Sequence, residues 1–128
     1  MRLLLDTHTF LWWLDGDRRL PPRVRRQMAA NGNTIYVSAA SAWEIATKFR
    51  LGKLPGAEAV ARDVGLTVAN QGFSELDITV RHAEHAGRLA GTHRDPFDRM
   101  LIAQAQLERV SIASGDEVFE EYGIPLFW

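Results

Sequence analysis

Cysteine is absent from these 128 residues, so neither disulfides nor thiolate chemistry is open to the chain, and a reducing, cytoplasmic setting is the expectation. No apolar run nears the ~20 residues that a membrane-spanning helix needs, and the N-terminus reads as a strand, not as a secretory leader. Charge of one sign is lacking too: 15 Lys and Arg against 16 Asp and Glu leave a net charge of −1. Any affinity for nucleic acid must then come from local basic patches. Repeats, low-complexity tracts and linker-like stretches are missing, which leaves no internal boundary. What remains is ordinary for a folded protein, with 46% hydrophobic and 24% charged residues. A single domain over residues 1–128 with a real core is expected.

The most informative stretch comes first. Leu3, Leu4 and Leu5 form a short unbroken apolar run, as in a central strand covered on both faces. Asp6 and Thr7 end it, and a short helical stretch from Phe10 to Leu14 follows. An acid at such a junction either caps the next helix or stands at the edge where open α/β sheets bind ligands.

Further along, Val24 and Met28 mark a helix over 23–30, and Ile35-Tyr36-Val37 has strand composition. Ser38 or Ser41 can cap a helix whose stripe is Ala42, Ile45, Ala46 and Phe49, closed by Gly52. A helix over 57–64 is expected to end at Gly65, leaving Leu66 to Val68 ambiguous. Phe73 to Ile78 alternates like a strand, and Thr79 caps a helix running to about Leu89. Asp95 and Pro96 open the best-marked helix, with Phe97, Met100, Leu101, Gln104 and Leu107 on its buried side. Val110 to Ala113 is a strand, Ser114 to Asp116 a turn, Glu117 to Glu121 a short helix, and Ile124 to Phe127 an edge strand that tolerates Pro125. This alternation predicts an α/β fold, a three-layer α/β/α sandwich around a mostly parallel sheet.

Four acids occupy positions that such a sheet can bring together. Asp6 and Asp116 follow short apolar strands, Asp98 lies in the first turn of a helix, and Glu44 in the first half of another. Each also has a plain structural explanation. Glu44 follows Ser41 as in a capping box and precedes Lys48 as in an exposed ion pair. Asp98 suits the helix dipole, a gain of roughly 0.3–1 kcal/mol, and Asp116 suits a turn.

The segments taken together carry more. Leu3-Leu4-Leu5-Asp6-Thr7, Ser38 to Ser41 with Trp43-Glu44-Ile45, His93-Arg94-Asp95-Pro96-Phe97-Asp98-Arg99 with its helix to Ala105, and Ser111 to Asp116 occur in that order. They resemble the motifs of PIN-domain ribonucleases, and more narrowly of VapC-type toxins of toxin–antitoxin pairs. The resemblance runs end to end and includes Arg50 to Pro55. It implies a metal-dependent endoribonuclease in which Asp6, Glu44, Asp98 and Asp116 are both catalytic and metal ligands. Thr7, Ser114 and Arg99 would support them, and Asp95 would stay a cap. Ser114-Gly115-Asp116 stands where Thr-x-Asp is more usual in the family, a change that keeps the hydroxyl. The resemblance further implies RNA as substrate (transfer or ribosomal RNA at the family level), a homodimer, and a cognate VapB-like antitoxin that occludes the acids.

Hydrolysis of a phosphodiester needs an activated water and neutralisation of charge on the phosphate oxygens, which divalent ions supply. Oxygen ligands without cysteine or paired histidines point to Mg²⁺ or Mn²⁺. His82 and His85 are better read as surface or partner-facing residues than as ligands. Arg18, Arg19, Arg23, Arg25 and Arg26 form the densest basic cluster, and Lys48, Arg50 and Lys53 add to a candidate RNA-binding surface, against solvated helix faces as the plainer reading. Arg94 and Arg99 flank Asp98 and are better placed to meet a scissile phosphate or to balance the acids. Trp12 and Trp13, in a helix apolar on every side, suit a partner surface. Two other readings remain: a non-catalytic RNA-binding PIN module, and a Mg²⁺-dependent phosphotransfer or phosphatase domain. The latter wants a second Asp close behind the first, which Asp6-Thr7-His8 lacks.

Overall fold

Five parallel strands stand in the order β3-β2-β1-β4-β5. They are β1 (Arg2–Leu5), β2 (Thr34–Ser38), β3 (Ser74–Leu76), β4 (Ser111–Ala113) and β5 (Leu126–Phe127). The computed structural model describes residues 1–93 and 95–128. Between the strands run α1 (Thr7–Asp15), α2 (Pro22–Ala29), α3 (Ala39–Arg50), α4 (Glu58–Arg62), α5 (Val64–Asn70), α6 (Val80–Arg88) and α7 (Pro96–Glu108). A 3₁₀ turn, Glu117–Tyr122, leads towards β5.

The central strand explains the layers. Successive side chains of a strand point to opposite faces, and Leu3, Leu4 and Leu5 are all fully buried. Leu3 and Leu5 pack with Phe10, Val24, Ile45 and Val68, which come from α1, α2, α3 and α5. Leu4 packs with Leu101, Ile102 and Phe119 on the other face, under α7 and the 3₁₀ turn. Each such leucine, fully buried, is worth roughly 1.5–3 kcal/mol of transfer free energy. The chain leaves β1 for β2 and β3 on one side and reaches β4 and β5 on the other, so the order in which strands are added switches between β1 and β4 while all strands stay parallel. The C-terminal ends of those two strands form the crevice where ligands of open parallel sheets sit.

Three local expectations need correction. Gly65 does not end a helix; it lies inside α5, which Asp63 starts by accepting from Leu66 N at 3.0 Å. The strand expected over 73–78 is only Ser74–Leu76. In α3 the inner face is Ala40, Ser41, Glu44 and Ile45, while Ala46 is exposed. The helix is rolled so that an acid, and not alanine, points inward. In α7 the run Leu101 to Ala105 is buried without a break, because this helix is covered by the sheet on one side and by α6 and α3 on others. Among the described residues no helix is long and apolar enough to cross a membrane.

Candidate active site

Asp6 follows the last residue of β1, and its N–H donates to the Ala113 carbonyl at 3.2 Å, which extends the β1–β4 ladder by one step. It holds the N-cap position of α1, yet its carboxylate accepts no capping hydrogen bond. The side chain is therefore free of the simplest structural duty. It is buried, and Ser114 Oγ donates to its Oδ2 at 2.8 Å. Burial pushes its pKa above the ordinary 3.8, and the charge of Glu44 adds to that; the Ser114 bond, His8 and the Thr7 backbone N–H act against it.

Glu44 loses its capping-box explanation. Ser38, not Ser41, is the N-cap of α3, accepting from Ala40 N at 2.9 Å. Ser41 faces the site, its hydroxyl 2.8 Å from that of Thr7, a buried tie between α3 and α1 beneath the acids. Glu44 is itself buried and pairs with Lys48, which is half-buried; the pair is not the solvent-exposed one that its spacing suggests. Burial works against the Lys48 charge, but the Glu44 hydrogen bond together with Asp95 and Asp98 raises its pKa on balance.

Asp95 is the cap of α7, as Pro96 predicts: its Oδ1 accepts from Phe97 N at 2.8 Å and Asp98 N at 3.1 Å. That leaves Asp98 free to reach inward, where its Oδ2 meets His93 Nε2 at 2.9 Å. Burial pushes Asp98 up to about 6, opposed by the His93 hydrogen bond and reinforced by the charges of Asp95 and Asp6. Asp6 thus feels the charge of Glu44, and Asp98 feels that of Asp6.

Asp116 is placed differently. It is exposed and caps the 3₁₀ turn, its Oδ1 accepting from Val118 N at 3.0 Å. It joins the centre through Ser114, whose Oγ accepts from Asp116 N at 3.0 Å, and it lines an open cavity shared with Asp6. Turn chemistry accounts for its local geometry, and it is exposed where Asp6 and Glu44 are buried and Asp98 half-buried. Among the described residues, no three His, Asp or Glu side chains are grouped closely enough to hold a metal ion as they stand.

Residues 3–125 match the PIN domain family. The chain belongs to the PIN-domain family. Over 53 residues it is 47% identical to Ribonuclease VapC16 of Mycobacterium tuberculosis, a match covering 41% of this chain and 38% of that protein. The chain therefore spans well under half of this curated relative's length in the match. Among solved structures it resembles VapBC2 from Rickettsia felis bound to a promoter DNA fragment, with TM-score 0.72 and 16% identity over 99% of this chain and 98% of that one. VapBC-1 from nontypeable Haemophilus influenzae gives TM-score 0.70 and 15% identity over 99% and 97%. FitAcB from Neisseria gonorrhoeae gives 0.64 and 19% over 98% and 96%. At such identities these likenesses concern the fold.

Within this PIN domain the supporting residues take unequal places. Ser114 touches Asp6 through its hydroxyl, whereas the Thr7 hydroxyl is bonded to Ser41 and Thr7 reaches Asp6 only through its backbone N–H. Arg99 does not face a substrate phosphate: its guanidinium donates to the carbonyls of Ala86, Leu89 and His93, the last at 2.9 Å. It closes the C-terminal end of α6 and fixes the loop that delivers His93 to Asp98. Lys48 is turned in towards Glu44, away from any outer RNA surface. Arg94 lies outside the described residues. His82 is not a surface residue, since it is buried and bonded to α7, while His85 is half-buried and also bonded to α7. His82 is buried, accepts from Thr79 N through Nδ1 at 3.0 Å, and so donates from Nε2 to Glu108 at 2.9 Å; His85 meets Gln106 at 2.6 Å.

The basic cluster is layered on aromatic rings. The guanidinium of Arg19 lies 4.7 Å from the Trp12 ring centroid, Arg25 5.3 Å from Trp13, and Arg23 4.8 Å from Phe127. Arg18 and Arg26 are exposed. Trp13 is covered from within, by Phe73 at 5.4 Å between centroids and by a 2.9 Å bond to Gln71 Oε1. Two residues beside the acids were not expected from the sequence: His93, present in the His93-to-Arg99 string but without a partner until the loop folds back, and His8, which shares the cavity with Asp6.

Proposed function

We propose that this chain is a Mg²⁺- or Mn²⁺-dependent endoribonuclease and the toxin of a toxin–antitoxin pair, held in check by a cognate antitoxin and paired with a second copy of itself. One observation carries the reading. Asp6, at the C-terminal end of β1, is buried, free of capping and bonded to Ser114; the charge of buried Glu44 bears on it, and its own charge bears on Asp98, whose pKa burial raises. Membership of the PIN family supports nuclease chemistry, and the relative named Ribonuclease VapC16 supports the toxin class. The solved relatives named VapBC and FitAB complexes support an antitoxin as partner.

The donor set suits a hard divalent ion. It is made of carboxylate oxygens with hydroxyls behind them and no thiolate, and it includes an Asp98 raised first by burial and then by the charges of Asp95 and Asp6. Asp6, Glu44 and Asp98 would hold the ion, with Asp116 completing the set from the rim. A bound ion would acidify the attacking water and neutralise charge gathering on the phosphate oxygens. Ser114 steadies Asp6, and the Thr7–Ser41 tie keeps α1 and α3 in register beneath the acids. His93 Nε2 is in reach of Asp98 Oδ2, so a proton can be held between those two atoms. Arg18 and Arg26, exposed on the basic face, would meet RNA phosphates and make binding fall steeply with salt.

One observation favours a second reading. Lys48 already supplies a positive charge among Glu44, Asp95 and Asp98, as in a PIN module that binds RNA without cutting it. Cleavage of cellular RNA by the purified chain separates the two. Activity that needs Mg²⁺ or Mn²⁺ and disappears in Asp98→Asn supports the nuclease; RNA binding without cleavage in either metal supports the module.

A further inference from the structure

The cavity beside the acids is lined not only by Asp6 and Asp116 but also by the rings of His8, Trp12 and Trp128, and has a volume of about 460 Å³. The Trp12 centroid lies 6.0 Å from those of both His8 and Trp128. Arg19 reaches the same cavity, its guanidinium stacked on Trp12 and anchored by Asp17 Oδ2 at 2.7 Å. The anchoring holds Asp17 down at about 2. Trp128 rests directly on Gly115, where any Cβ would come within 2.8 Å of the indole nitrogen. The turn between Ser114 and Asp116 therefore admits this ring only because glycine stands in it.

The contrast with Trp13 is instructive. Trp13 is packed on Phe73 and bonded to Gln71, so core packing explains it. Trp12 is half-buried like Trp13 and also packs against the core, but unlike Trp13 it borders an open cavity shared with two acids and a cation. Rings, carboxylates and a guanidinium around one cavity match the parts of a nucleotide. The acids take the ion that meets a phosphate, the rings take a base, and the guanidinium takes the next phosphate. A base within a duplex is already stacked and cannot reach such a wall, whereas an unpaired base can. A cationic peptide would be drawn by the acids but repelled by Arg19.

We infer that this cavity is a nucleobase subsite for single-stranded RNA: an unpaired base next to the cleaved phosphodiester packs on Trp12 and Trp128, and Arg19 receives the adjoining phosphate. The inference rests on the nuclease reading for its choice of ligand, but its test does not depend on turnover. Labelled short oligoribonucleotides are titrated with the full chain in EDTA, so that no cleavage occurs, and binding is followed by fluorescence anisotropy. The wild type should prefer single strands to a duplex of the same sequence. Trp12→Ala should weaken single-strand binding about tenfold, and Trp12→Phe, which keeps a stacking face, by no more than about threefold. An oligonucleotide with one abasic position should lose a similar factor with the wild type and little more with Trp12→Ala, since the two changes remove the same contact. Melting curves establish that both variants are folded, and Trp12→Phe carries the comparison if the alanine variant is not.

Equal affinity of wild type and Trp12→Ala, equal losses in both Trp12 variants, or no preference for single strands would overturn the subsite. Unchanged RNA affinity together with lost co-purification of an antitoxin would give the cavity to a protein partner instead. Binding that depends on Trp12 without any cleavage in Mg²⁺ or Mn²⁺ would keep the subsite and sink the nuclease reading.

Discussion

Ser114 Oγ donates to Asp6 Oδ2 across 2.8 Å and in turn accepts from Asp116 N at 3.0 Å, so one hydroxyl links the ends of β1 and β4 through a buried carboxylate. The two strands that flank the switch in strand order are thereby joined at the point where a ligand enters.

This hydroxyl favours the ionised form of Asp6. In Ser114→Ala the carboxyl holds its proton more tightly and should bind a divalent ion less well. We expect a smaller rise in melting temperature on addition of Mn²⁺, and near-normal behaviour in Ser114→Thr. A Ser114→Ala response equal to wild type would remove the role assigned to this bond.

Asp98 makes stability depend on pH. Its pKa is about 6 in the folded chain against an ordinary 3.8, so the folded state holds this proton more tightly than the unfolded one. The corresponding stability is fully present below 3.8 and is lost as pH rises through about 6. Without divalent metal, this group should lower the melting temperature between those values, and the decline should be smaller in Asp98→Asn. Identical pH profiles for the two proteins would show that Asp98 is not desolvated as described.

Lys48 stands in for a cation among Glu44, Asp95 and Asp98. Lys48→Met removes that charge from beside buried Glu44, which should lower the metal-free melting temperature. Breaking a buried pair by deleting one partner costs about 3–5 kcal/mol, and less here because Lys48 is partly solvated. A divalent ion should then restore more stability than it adds to wild type. A variant that melts like wild type with and without metal would refute this.

Arg99 should matter for stability more than for phosphate binding. Its guanidinium serves three backbone carbonyls, at Ala86, Leu89 and His93, and lysine cannot reproduce that fork. Arg99→Lys should cost about 2–3 kcal/mol in a denaturant titration, by analogy with hydrogen bonds from charged groups. Loss of RNA affinity at unchanged stability would return Arg99 to the substrate face.

Much of this was legible in the residues themselves. Three leucines ended by Asp6 mark a central strand running into a ligand edge, and Asp95-Pro96 marks the start of α7. Periodicity did less well where polar side chains turn inward. In α3 it favoured Ala46 over Glu44, because an apolar count cannot credit an acid whose burial is compensated by Lys48. Gly65 sits in a helix because Asp63 starts a new one just before it, a cap that outweighs the helix-breaking tendency of one glycine. The partners of His93 and Arg99 were beyond reach because they depend on how an irregular loop folds against the start of α7, and that of Trp128 because it lies at the far end of the chain. Asp116, grouped with the other acids in the sequence, shares a cavity with Asp6 and also gives its Oδ1 to Val118 N, a local duty that spacing does not reveal.

The central claim is that Asp6, Glu44 and Asp98 form one site for a divalent ion. It is tested most directly by calorimetric titration of Mn²⁺ into the wild type and into Asp6→Asn, both checked for folding. The account predicts saturable binding by the wild type, with proton release as Asp98 ionises, and at least a tenfold weaker affinity in Asp6→Asn. Equal Mn²⁺ affinity in the two proteins, or no saturable binding by the folded wild type, would contradict it.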